Sequence, residues 1–118
     1  MSDLGSEKAL MGLPEDEILA LIGADLVGPQ ALPLRPAELV ERSKRWLTAQ
    51  RDYLEEQICS NAGIKQFVSQ TTDNVAIATE LAKLLAGLLL PVNPVPLAVL
   101  LAKRGLKTLC ATRWSEHV

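Results

Sequence analysis

Residues 73–104 read DNVAIATELAKLLAGLLLPVNPVPLAVLLAKR, and the fold turns on them. Asp73 is a good helix N-cap, because its side chain can accept from the free amides of the first turn. From there to about residue 90, Asp73, Ala76, Glu80, Lys83 and Gly87 share one narrow face at about 100° per residue. Val75, Ala78, Leu81, Ala82, Leu85, Ala86, Leu88 and Leu89 take nearly all the rest. A helix apolar around most of its circumference is a buried one. Glu80 and Lys83, three apart, are placed to pair along its polar edge. Pro91, Pro94 and Pro96 then force a turn, since an interior proline costs a helix about 3 kcal/mol. Asn93 can cap a second helix, about 94–110, with Pro94 at the first position where no amide is needed. The expectation is a central hydrophobic hairpin, 74–90 against 94–110.

The flanking sequence is also helical. Pro14 suits a first helical position, and Glu15, Asp16 and Glu17 load the first turn against the positive end of the helix dipole. Ile18, Leu19, Leu21 and Ile22 supply its apolar side, and Gly23 or Gly28 is expected to end it. Residues 28–36 hold three prolines and read as an extended connector. Pro36 opens the longest amphipathic helix, about 36–60. Its apolar residues come in pairs seven apart, Leu39/Val40, Trp46/Leu47 and Tyr53/Leu54, followed by Ile58. That spacing returns to one face every two turns. The polar residues Ser43, Gln50 and Gln57 between the pairs keep the stripe narrow. Ile64, Phe67 and Val68 suggest one or two short turns. Residues 1–13 read as a weakly ordered N-terminus, 14–112 as one domain, and 113–118 as a tail. With no strand-like alternation and no fixed repeat, the chain reads as all-α, a small bundle of four to five helices.

At 118 residues, one domain is the natural size, and 22% charge against 48% hydrophobic content excludes a disordered chain. Charge is uneven: residues 1–59 sum to −5 and residues 60–118 to +3. Only nine charges lie in the second half, so its apolar residues must bury against the first half, another copy, a partner or lipid. Leu84 to Ala102 carries no charge, which by length alone qualifies as a membrane span. The central prolines fold it back, leaving arms of roughly 10–14 Å at 1.5 Å per residue, enough to dip into a bilayer but not to cross it. Lys103, Arg104 and Lys107, close together on the last helix, would then sit at anionic head groups.

Catalytic chemistry finds little footing. The single His is His117, near the C-terminus, where a relay partner is hard to hold. Cys59 and Cys110 lie too far apart in sequence for a metal-ligand pair, and both read as buried free thiols beside Ile58 and Leu109. No phosphate-binding glycine loop is present. The chain is therefore expected to be non-enzymatic, without metal or cofactor. The cluster Arg42-Ser-Lys-Arg-Trp46 is neutralised by Glu38, Glu41 and Asp52. With 3% aromatics there is no stacking platform, so nucleic acid is disfavoured. The acidic N-terminus lacks the basic lead of a signal peptide, which together with free thiols suggests a cytoplasmic setting.

Protein binding fits best. Trp46 and Tyr53, seven apart, could anchor a helix-mediated contact. The acid-rich first 34 residues and the basic Lys103, Arg104 and Lys107 could attract each other between copies or within one chain. The expected function is a non-catalytic helical interaction or adaptor module that self-associates or takes a protein partner, with a membrane-surface role for residues 84–102 as the alternative. Residues 41–59 loosely resemble small helical proteins that accompany bacterial conflict and stress genes, a resemblance that implies no functional residue.

Overall fold

A computed structural model describes residues 6–28 and 34–115. Among these every regular element is helical: α1 (Ser6–Met11), α2 (Glu15–Val27), α3 (Pro36–Cys59), α4 (Ala62–Gln70), α5 (Asn74–Ala86), α6 (Pro94–Arg104), α7 (Leu106–Leu109) and α8 (Ala111–Ser115). The radius of gyration, 14.2 Å, is close to the roughly 13–14 Å of a compact chain this long. Two packings organise the molecule, α2 along α3 and α5 along α6, and α6 also contacts α1 and α2.

The helices α3, α4, α5 and α6 start on a side-chain cap, whereas α2 begins after Pro14 without one. Asn61 Oδ1 accepts from the Ile64 amide at 2.9 Å, Asp73 Oδ1 from Val75 at 3.0 Å, and Asn93 Oδ1 from Val95 at 2.9 Å. At α3 the Arg35 amide donates to Glu38 Oε1 at 2.8 Å, with Pro36 in the first turn. These side chains satisfy amides that the helix leaves unpaired. The core is centred on α6, where residues 96–102 are buried without interruption. Against it pack Ile77, Ala78, Leu81, Ala82 and Leu85 of α5, with Ile18, Leu19 and Ile22 of α2 and Leu54 and Ile58 of α3 in the same cluster. The Glu80–Lys83 pair forms at 3.2 Å on the outer edge of α5.

Several expectations are corrected. Among the described residues eight helices stand where four to five were expected, partly because the 94–110 helix is broken. Gly105 adopts φ +98°, a conformation that ends α6, and the chain restarts as α7 and α8. Similarly, α5 stops at Ala86 rather than near 90, and Leu89 beyond it is 89% exposed with φ +57°. Residues 6–11, expected to be weakly ordered, form α1 and bring Leu10, Met11 and Leu13 onto the core. Residues 113–115, expected as tail, belong to α8. The proline-rich residues 29–33, like His117, lie outside the described residues.

Gly23 does not end α2. It is buried mid-helix, and a Cβ there would collide with the backbone of Leu39 on α3. The α2–α3 contact needs a residue without a side chain at that point. Along α3 the last apolar pair divides: Leu54 is 2% exposed, whereas its neighbour Tyr53 is 43% exposed, as expected for adjacent helical residues about 100° apart in direction. Leu39, Val40, Trp46 and Leu47 are all half-buried. Ser43, read as a polar residue that narrows the stripe, sits on the seam, fully buried, and its hydroxyl has no hydrogen-bond partner among the described residues.

The thiols are also corrected. Cys59 and Cys110 form a disulfide, with their Cα atoms 5.5 Å apart. Their sequence separation of 51, taken as disqualifying a metal pair, says nothing about distance in a folded chain. The bond ties the end of α3 to the residue between α7 and α8. It also removes the free thiols on which the expectation of a reducing compartment partly rested.

Candidate functional site

The residues singled out from sequence do not converge. Trp46 is half-buried against the core, while Tyr53 points outward on the same flank of α3. Lys103 faces inward, donating from Nζ to the carbonyls of Met11 (3.0 Å) and Leu13 (2.6 Å). It thereby satisfies the open C-terminal end of α1, where a cation is favoured. Arg104 binds Glu15 Oε2 through Nε at 3.1 Å and Nη2 at 2.6 Å. The acidic start of α2 and the basic end of α6 thus meet within one chain. Lys107, separated from both by the break at Gly105, is exposed beside a small cleft of about 210 Å³ near Thr71 and Asn74. The three bases read as one basic patch are therefore a helix-end cap, an ion pair and an exposed lysine.

A larger concavity than that cleft lies between α3 and the α6–α7 break. It is a groove of about 440 Å³ lined by Lys44, Leu47, Thr48, Arg51, Leu54, Leu101, Arg104, Gly105, Thr108 and Leu109. That volume falls within the range of sites that bind small molecules or peptide side chains. Its floor is leucine: Leu54 and Leu101 are buried, Leu47 and Leu109 half-buried. Its rims are exposed and polar, with Lys44, Thr48 and Arg51 on one side and Arg104 and Thr108 on the other. Thr48 donates to the Lys44 carbonyl at 3.0 Å, so its hydroxyl is partly engaged. No acid lines the groove, and neither Lys44 nor Arg51 is ion-paired among the described residues.

Chain geometry accounts for the site. Positions 44, 48 and 51 follow the 4-then-3 spacing of one helix edge, and Leu47 and Leu54, seven apart, follow the adjacent inward line. Trp46 and Tyr53 occupy the opposite flank of α3, which is why the aromatic signal missed the groove. The far wall exists because Gly105 breaks α6 and turns α7 toward α3. The wall is held by the C-terminal segment: the disulfide, Trp114 Nε1 donating to the Cys59 carbonyl at 2.9 Å, and Arg113 against Glu55 at 3.5 Å. The Lys44, Thr48 and Arg51 edge was not singled out from the sequence, where Lys44 was read only as part of a neutralised cluster, although its helical spacing lies in the sequence; its opposing wall had no local signal.

Among the described residues no group of three or more His, Cys, Asp or Glu is placed to hold a metal ion. No described helix is long and apolar enough to cross a membrane. No family model, curated protein sequence or solved structure matches the chain.

Proposed function

We propose that the chain is a non-catalytic helical interaction module that receives a protein partner in the groove between α3 and α6–α7. In this reading α5 and α6 form a hydrophobic hairpin that backs the site, and the remaining helices complete a bundle around it. The observation that carries the proposal is a leucine floor left open between exposed polar rims, in a molecule whose other apolar residues are largely used internally. Partly exposed apolar side chains inside a concave surface offer a partner contact points that water would otherwise cover.

The case for self-association rested on surplus apolar surface in the second half. Because residues 96–102 are buried within the chain, a partner other than a second copy is favoured. The same burial leaves only the hairpin tip around Leu89 exposed for the membrane alternative. The disulfide suits a compartment where thiols are oxidised.

Panning a random peptide library tests this reading. The comparison uses the wild-type chain and a variant, Thr48→Trp with Thr108→Trp, that fills the groove from two exposed rim positions. Peptides enriched on the wild type should fail to bind the filled variant. Failure to enrich any peptide, or equal binding by the filled variant, would overturn the groove as the binding surface.

A further inference from the structure

The charge and dimensions of the groove restrict what it can take. Lys44 to Leu54 spans roughly three turns of α3, about 15 Å for the intervening steps at 1.5 Å per residue. Four leucines provide an apolar strip along that length, and the charged groups beside them are Lys44, Arg51 and Arg104. Arg104 is ion-paired with Glu15, whereas Lys44 and Arg51 on the α3 rim make no ion pair among the described residues. That rim stands out on a chain of net charge −2. Positive rims beside an apolar floor attract an occupant with the complementary arrangement and disfavour one with basic flanks.

The geometry points to an acidic amphipathic helix as the occupant: about three turns, leucine-like side chains at i, i+3 or i+4, and i+7 on the floor, and carboxylates facing Lys44 and Arg51. This inference rests on the groove being the binding surface, and names the partner chemistry. The two rims have different roles. The α3 rim supplies free charge, whereas the Arg104 guanidinium is already held by Glu15 and mainly shapes the far wall. Reversing the α3 charges should therefore affect recognition more than removing Arg104.

The experiment uses two fluorescent helical peptides with the same leucine spacing, one flanked by glutamates and one by lysines, titrated into the full chain and followed by anisotropy. The acidic peptide should bind more tightly, and high salt should weaken it as partner charges are screened. Lys44→Glu with Arg51→Glu should weaken it about tenfold or more, with the helical circular dichroism unchanged because both residues are exposed. The same reversal should improve binding of the lysine-flanked peptide. Equal affinity for both peptides, or no effect of the reversal, would overturn the acidic-helix inference. If neither peptide binds while library peptides still require an open groove, the occupant is wrong and the interaction surface stands. If no peptide of any kind requires the groove, the broader functional reading fails with it.

Discussion

Gly23 places α2 against α3 at a separation that admits no side chain, because the Leu39 backbone fills the space a Cβ would need. From sequence alone this glycine looked like a stop signal, since glycine weakens a helix wherever it occurs. Its value is apparent only once the neighbouring helix is in place. Gly23→Ala should raise helix propensity yet destabilise the protein by about 1–3 kcal/mol through overpacking, measured as a lower urea midpoint. An unchanged or higher midpoint would mean the helices do not pack this closely. Ser43 makes the same point from the other side: a polar residue that interrupts the apolar stripe in sequence is buried by its direction on the helix. Lys103 and Arg104 were visible as charges, but not as a cap for α1 and a partner for Glu15, because those acceptors lie about ninety residues earlier.

Helix starts were the most legible elements. Asp73, Asn93 and Pro36 stand where the sequence places them, because an N-cap acts through amides two or three residues away and needs no distant partner. Helix ends were less legible: α5 stops early and Gly105 divides the final helical stretch. The α7–α8 segment is short, and isolated helices of one or two turns are unstable. Its position depends on the bond to Cys59, the Trp114 hydrogen bond and the Arg113–Glu55 pair. Replacing both cysteines by serine should lower stability by about 4 kcal/mol, the loop-closure contribution for a separation of this size, measured by denaturant unfolding. Unreduced, denatured protein should show no reactive thiol. Two titratable thiols per chain, or a denaturant midpoint unmoved by the double substitution, would contradict the cross-link.

Across the whole molecule, the uneven charge and the apolar second half find one resolution. The basic end of α6 pairs with the acidic start of α2, and the apolar run enters the centre of the same chain. Amides in residues 97–102 should therefore exchange with solvent most slowly, through global unfolding alone, while α1 and α4 exchange sooner. Hydrogen exchange resolved by residue checks this, and rapid exchange in α6 would place the stable core elsewhere. The sequence by itself determined the all-helical class, the principal helix starts and the need to bury residues 84–102, because capping and periodicity act over a few residues. Tertiary structure alone decided where that apolar surface went, that Cys59 meets Cys110, that Gly23 serves a close crossing, and that Lys44 and Arg51 face Arg104 across a groove. Each of these depends on residues distant in sequence sharing one place, and local chemistry carries no measure of that distance.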